Sequence, residues 1–411
     1  MKARSPLAVV FFTVFLDLIG FGILIPIQPF YAEFFGARPA TVTLLSASYS
    51  LMQFLFAPLL GRVSDRVGRR PIMLFSIAAN ALGYALFGLA GSLTLLFVAR
   101  ITSGLGSANL GTAQAIIADV TTPETRAKGM GLIGAAFGLG FVFGPAFGGF
   151  FGQFGLAVPA FVAAGLSLLN WLSAYFLLPE TRSASGARTS LSAPPSLLGL
   201  SPRALQNAMR HANVAQLLWV YLIGTLAFSQ LEQVLGLFIE RNWAGTSSDP
   251  TAHLRRASAL TSYFLVAVGV TATIVQGTLT GRIAKRLGER RMVQLGTFLV
   301  AVSMAILPVV ANLRSFPIFL LMGPFIAIGT SLTNPALPSL LSQSVEGDAF
   351  GGTLGLGQSL SSLGRVIGPS TAGILFELHT GAPFWVGAVL MSTCTLVALT
   401  LGVRAKVEAS S

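Results

Sequence analysis

The sequence predicts an all-α integral membrane protein of twelve transmembrane helices, arranged as two pseudo-symmetric six-helix bundles. Three observations carry this reading. The 411 residues are 53% hydrophobic and 10% charged, a surplus of apolar side chain that a soluble chain of this length has no core to absorb. Apolar runs of about 20 residues, long enough to cross a bilayer, recur along the whole length, with charges mostly confined to short clusters between them. Finally, two patterns of the first half return in the second.

Lys2 and Arg4 ahead of an apolar stretch imitate a secretory leader, but the run from Pro6 to Phe34 exceeds a leader's apolar core and reads as a retained first span. Apolar windows place the spans near 7–33, 41–61, 71–91, 93–118, 128–153 and 157–178, then near 213–240, 259–280, 292–311, 315–341, 351–376 and 381–403. Residues 182–212, opening with RSASGARTSLSAPPS, hold no sustained apolar run and form a linker. The chain therefore divides into an N-terminal bundle (1–181), a cytoplasmic linker (182–212) and a C-terminal bundle (213–411). With the N-terminus inside, nineteen lysines and arginines fall on the cytoplasmic side, against Arg38, Arg241, Arg255, Arg256 and Arg314 on the other. That bias predicts cytoplasmic termini, and the short loops suggest a bacterial inner membrane.

The net charge of +12 does not point to nucleic acid, because the basic residues sit in loops rather than on one face interleaved with aromatics. Cys394, the single cysteine, excludes an intrachain disulfide or a multi-cysteine metal site. An enzyme needs a nucleophile with its base, or a ligand cluster. The only histidines, His211, His253 and His379, lie at span edges or loops, so no catalytic residue, metal site or cofactor is expected.

The loop after span two reads GRVSDRVGRRP from Gly61, and the loop after span eight reads GRIAKRLGERR from Gly281. A second pair, GFVFGPAFGG in span five and GRVIGPSTAG in span eleven, sets Gly144-Pro145 against Gly368-Pro369. Duplicated bundles of this kind hold substrate near the midplane between the halves and rock around it. The expectation is therefore a secondary transporter that takes a small molecule through the bilayer, working as a monomer. A membrane-embedded enzyme or sensor is the alternative outside transport.

These stretches resemble the major facilitator superfamily over essentially the whole chain. GRVSDRVGRR matches that family's signature loop, ARITSGLGSA around Arg100 its span-four motif, and GFVFGPAFGG the span-five motif associated with antiporters. LDLIGFGILIPIQP and TNPALPSLLS look like the drug:proton antiporter branch, which includes tetracycline and multidrug exporters. The resemblance implies proton-coupled efflux of lipophilic small molecules. Facilitated or proton-coupled passage of a metabolite, sugar or lipid is the alternative that the same fold can host. The resemblance also implies a gate of Gly61, Asp65, Arg66, Gly68, Arg69 and Asp119, with Asp65 meeting span eleven. Lys285 stands where the second loop would need its acid, so only Asp65 inherits that role.

An ionisable group at the bilayer centre costs several kcal/mol on insertion scales and demands a reason. Asp17 lies eleven residues beyond Pro6, about 16 Å along a helix and so near the midplane. Arg100, Glu232 and Arg365 fall within spans four, seven and eleven. Asp17 and Glu232 either exchange a proton for substrate or pair with Arg100 or Arg365 to hold the bundle. Arg100 either steadies an anion or satisfies carbonyls freed by nearby glycines, and Arg365 leans toward that structural role. Phe21, Tyr49, Gln53, Phe228, Gln230, Gln233 and Asn334 offer aromatic and amide surface to a bulky substrate, or else pack as ordinary helix residues. Gly140, Gly144, Gly148 and Gly149 with Pro145 permit close helix approach. Spans three, six, nine and twelve lack charge, which suits lipid-facing positions.

Overall fold

The computed structural model describes residues 6–181, 212–245, 249–344 and 350–401. Among them there is no strand, and helices cross twelve times. Span one is Pro6–Leu24, span two Pro39–Val67, span three Arg69–Gly88, span four Leu93–Gly106 with Leu110–Val120, span five Pro123–Gly152 and span six Val158–Leu177. Span seven is Ala212–Ile239, span eight Pro250–Ile274, and span nine the part of Thr280–Ala311 beyond Gly288. Span ten is Phe316–Leu320 with Met322–Ser344, span eleven Phe350–Leu378 and span twelve Ala382–Thr400. All but the last residue of the expected linker 182–212, and the chain's two tails, lie outside the described residues.

The helical run Thr251–Ala311 is 61 residues, about 90 Å at 1.5 Å per residue and roughly three times the hydrocarbon thickness. It is two spans turned at Gly288, whose φ is +75°. Gly68, 220 positions earlier, turns spans two and three with φ +118°. The loop repeat read in the sequence is thus also a repeat of backbone conformation, of the kind glycine adopts most readily.

Span two runs on to Val67 rather than ending near 61, carrying Arg62, Asp65 and Arg66 of the expected loop into the helix. Span five begins at Pro123 rather than near 128. Three further departures have a visible cause. Span one ends at Leu24 rather than near 33, and after a short turn the chain resumes as the separate helix Gln28–Phe34. Pro26 and Pro29 supply no N–H and restrict the residues before them. Span four breaks at Ser107–Asn109. Span eight begins at Pro250 instead of near 259, because the Asp249 side chain accepts from Thr251 N at 2.8 Å and Pro250 fills the first turn. The earlier start draws His253, Arg255 and Arg256 out of the expected loop and into the helix.

Helix pairing follows the repeat. In the first half span one packs on five and six, three on four and six, and two on four; in the second half seven packs on eleven and twelve, nine on ten and twelve, and eight on ten. Spans two with eleven and five with eight join the halves, and the same pseudo-twofold relates these two pairs. Spans three, six, nine and twelve carry exposed apolar side chains such as Phe75, Phe176, Phe298 and Val389, as lipid contact requires.

Candidate functional site: a charged centre between the halves

The face carrying the arginine-rich loops is the basic side, and the opposite face the far side. At mid-depth in span one, Asp17 accepts from Asn80 Nδ2 at its Oδ1 and from Asn109 Nδ2 at its Oδ2, both at 2.9 Å. Asn80 lies in span three, and Asn109 sits at the break in span four that frees its amide from a regular helix. Ser107 Oγ donates to Asn80 Oδ1 at 3.0 Å, and Gln53 Nε2 donates to the Ser107 carbonyl at 3.0 Å. The carboxyl is therefore oriented by two neutral amides. Among the described residues no ion pair joins it to Arg100 or Arg365.

Arg100 is 5% exposed, and its guanidinium lies 4.6 Å from the centre of the Tyr49 ring. Phe21 stacks on the Tyr49 ring, with centroids 5.4 Å apart. Arg100 Nε and Nη1 are buried with no hydrogen-bond acceptor, so these donors remain available to an anion. They border a cavity of about 30 Å³ lined by Phe21, Ile25, Gln28, Pro29, Ser46, Arg100, Glu232 and Gln233. That volume suits a water molecule rather than a drug-sized ligand. Both halves contribute to it, and Arg365, exposed at mid-depth in span eleven, lies within electrostatic range of Glu232 and Tyr49.

Of the residues singled out in the sequence, Phe21, Arg100, Glu232 and Gln233 line one cavity, Tyr49 packs on Phe21 and Arg100, and Asp17 and Gln53 are linked through Asn80 and Ser107. The others lie elsewhere. Gln230 is buried and donates to Thr371 Oγ1 at 2.9 Å, bordering an apolar groove between spans seven, eleven and twelve. Phe228 packs on the apolar core, and Asn334 is exposed on span ten. Asn80, Asn109 and Ser107 were not singled out. An asparagine inside an apolar span was the available signal.

On the basic side Arg69 binds Asp65, Asp119 Oδ2 at 3.3 Å and Ser64 Oγ at 2.8 Å, and Thr181 Oγ1 donates to the same Asp119 oxygen at 3.3 Å. The anion at the N-terminus of span three is Glu180: it accepts from Arg69 N at 3.0 Å and Arg70 N at 3.2 Å, where the helix dipole favours negative charge. A side chain at Gly68 would strike that carboxylate. The described bonds of Asp65, which is 52% exposed, stay within the first half. Gly61 has open space around it, and Arg66 is exposed. Arg70 donates to the Tyr175 carbonyl and Arg290 to that of Leu399, so the repeat extends to the way each loop is tied to the last span of its half.

The glycines of span five divide by partner. Gly140, Gly144 and Gly148 press on Leu18, Gly22 and Ile23 of span one, next to Asp17, whereas Gly149 presses on Ser262 of span eight in the other half. Gly368 presses likewise on span seven, and Gly373 on Ala40 and Thr43 of span two. Gly149 and Gly373 are 224 positions apart, the spacing of Gly144-Pro145 and Gly368-Pro369. Pro145 and Pro369 lie inside their helices. Ala40 N also donates to Glu377 Oε1 at 3.1 Å, and Arg255 Nη1 to the Gln153 carbonyl at 3.4 Å. These inter-half contacts lie from mid-depth to the far side.

The comparisons agree with this architecture. The chain is 29% identical over 382 residues to Multidrug resistance protein 2 of Bacillus subtilis, covering 92% of this chain and 90% of the relative. It is 32% identical over 392 residues to the class E tetracycline resistance protein of Escherichia coli, covering 94% and 91%. A point mutant of the nucleoside transporter NupG superposes with TM-score 0.75 at 14% identity, covering 96% of this chain and 99% of that one. The human organic anion transporter MFSD10 (TETRAN) gives 0.68 at 23%, covering 97% and 100%. At those identities the structures speak to the fold alone. The sequence profile of the Major Facilitator Superfamily matches residues 10–275 and 250–410, and the chain belongs to that superfamily of membrane transporters.

Proposed function

We propose that the protein exports lipophilic small molecules in exchange for protons, by alternating access, with Asp17 carrying the exchangeable proton. The observation that carries this is the Asp17 carboxyl at mid-depth, held by Asn80 and Asn109 rather than by a cation. An acid committed to a permanent ion pair has no reason to release its charge, whereas one held by amides accepts a proton without leaving a bare cation behind. The resistance proteins among the relatives favour drug-like cargo.

The basic side is read as cytoplasmic on the nineteen-to-five distribution of lysine and arginine, and the membrane as a bacterial inner membrane. With inter-half contacts on the far side and Arg365 exposed at mid-depth, the conformation is read as open to the cytoplasm. The monomer is the functional unit, since both halves of one chain build the cavity. The proton gradient supplies the energy, with no cofactor.

The test is proton movement in proteoliposomes holding purified protein, wild type against Asp17→Asn, as a panel of lipophilic drugs is added. Drug-triggered proton flux that disappears in the variant supports the proposal. Transport without an imposed gradient that ignores the substitution would establish a facilitator instead.

A further inference from the structure

We propose that Glu33, Glu240 and His253 form a second proton-binding site, which bridges the two halves on the far side and closes that face when protonated. Glu33 belongs to the short helix Gln28–Phe34, beyond the end of span one. Glu240 opens the π turn Glu240–Ala244 that follows span seven, and His253 lies in the first turn of span eight. The three groups therefore come from both halves of the chain.

The hydrogen bonds show where protons sit inside the cluster. His253 Nδ1 lies 2.5 Å from the Gly245 carbonyl, which has only lone pairs, so Nδ1 must donate. His253 Nε2 then faces Glu240 Oε1 at 2.8 Å. A neutral imidazole donating at Nδ1 is an acceptor at Nε2, so a proton must lie between the nitrogen and the carboxyl. The helix Gln28–Phe34 packs on spans seven and eight, with Pro29 and Phe30 against Gly236, which sets the Glu33 carboxyl close to that of Glu240, and two carboxyls held together favour a proton on one of them. Glu33 Oε2 is buried with no donor directed at it.

The surroundings leave these protons weakly opposed. Arg241, on the same turn, lies with its guanidinium 4.5 Å from the centre of the Phe376 ring of span eleven. Tyr31, on the helix of Glu33, turns its hydroxyl to the Ala90 carbonyl at 3.0 Å. From span two, Arg38 precedes the helix and the outer part carries no charged side chain. On span eight Arg255 is engaged with Asp249 at 3.4 Å, and Arg256 approaches Gly245. Burial first, then the charge and hydrogen bond of Glu240, push the Glu33 carboxyl up to about 8, with Arg241 pulling the other way.

The direction suits an exporter. In the parted state Glu33 is an ordinary carboxyl near 4.5, and in the closed state it titrates near 8, so closing takes up a proton across that window. Closure is fully favoured at the acid end and is lost as pH rises through the closed-state value, by up to about tenfold in population per pH unit between the two. Protons arriving on the far side would thus shut that face and return the transporter toward the cytoplasm. That use of the site rests on the orientation and coupling proposed above; the site itself does not.

The experiment measures far-side distance without drug or gradient. Spin labels replace Phe154 and Leu313, which are 67% and 62% exposed on opposite halves, after Cys394 is replaced by alanine. Distances are read in detergent from pH 5 to pH 9. Wild type should show the short-distance population falling as pH rises, while Glu33→Gln, whose amide donates permanently to Glu240, should remain short throughout. Glu240→Gln should also flatten the profile, which covers the case in which the first variant fails to fold. A wild-type distance indifferent to pH, or an unchanged pH profile in either variant, would overturn the proposal. Asp17→Asn should keep the wild-type pH response while losing drug-triggered proton flux, so failure of the coupling scheme and failure of this site give different results.

Discussion

Replacing Gly149 with alanine should open the far side by a predictable amount. A Cβ built on Gly149 lies 2.5 Å from both Cβ and Oγ of Ser262, whereas ordinary contact begins near 3.4 Å, so spans five and eight must part by about 1 Å. Overpacking of that size costs roughly 1–3 kcal/mol. Because Ser262 belongs to the other half, the penalty exists only while the far side is closed. The closed population should therefore fall by about 5- to 150-fold relative to the open one. The Phe154/Leu313 label pair reads this as growth of the long-distance component at constant pH. A second substitution identifies the cause: Ser262→Gly removes both clashing atoms and should restore the wild-type distribution, while Ser262→Ala keeps the offending Cβ and should not. Gly144→Ala is the control, since its Cβ would lie 2.6 Å from Gly22 Cα within the same half. It should lower thermal stability without shifting the distances. An unchanged distribution in Gly149→Ala, or equal rescue by both Ser262 variants, would refute the assignment of this contact to the moving interface.

Three further outcomes follow from the same geometry. Gly68→Ala should destabilise the detergent-solubilised protein more than Gly288→Ala. Both backbones lie at positive φ with ψ of 158° and 157°, at a cost of about 1–3 kcal/mol for a residue with a Cβ, but only the Gly68 Cβ meets a neighbour, Glu180, whereas Gly288 has open space; paired melting curves decide it. Glu180→Ala leaves the Arg69 and Arg70 amides without their acceptor and should cost about 1 kcal/mol, read by the same melts, with transport retained. Asn80→Ala and Asn109→Ala each remove one bond to Asp17. A hydrogen bond to a charged group is worth about 1.5–3 kcal/mol, so drug-triggered proton flux should drop by roughly tenfold or more in each, with wild-type protein levels in the membrane.

Much of this was legible in the sequence because the bilayer enforces simple rules. Apolar length gave the twelve spans, and a repeated loop gave the two halves. What escaped was local polar chemistry. The early start of span eight was written in Asp249-Pro250, a cap followed by a first-turn proline, but the polar residues behind it masked the helix. Glu180, just beyond span six, reaches the amides that open span three and was not singled out, because only folding brings residues 111 positions apart together. The amides around Asp17 were hidden for the same reason: an asparagine in an apolar span announces a partner but not its identity.

The repeat itself separates two kinds of machinery. Backbone features recur with it: the positive-φ glycines Gly68 and Gly288, the span glycines Gly144 and Gly368, and the inter-half contacts of Gly149 and Gly373. The acids do not recur, although the loop arginines Arg62, Arg66 and Arg70 return as Arg282, Arg286 and Arg290. Asp65 faces Lys285 in the alignment of the loops, and Asp17, Glu180 and Glu33 have no acidic counterpart 220 positions on. A rocking motion between two bundles needs matched surfaces on both sides of its axis, so selection for movement preserves the repeat. Coupling that motion to a proton gradient needs the opposite, because a gradient does work only on groups whose protonation differs between the two faces. The far-side cluster of Glu33, Glu240 and His253 is the sharpest case: it has no equivalent in the basic-side network of Asp65, Arg69 and Asp119, where each acid faces an arginine instead of another acid. On the proposed scheme one face closes on a proton while the other is built around the fixed cation Arg69, which would give a symmetric scaffold a direction.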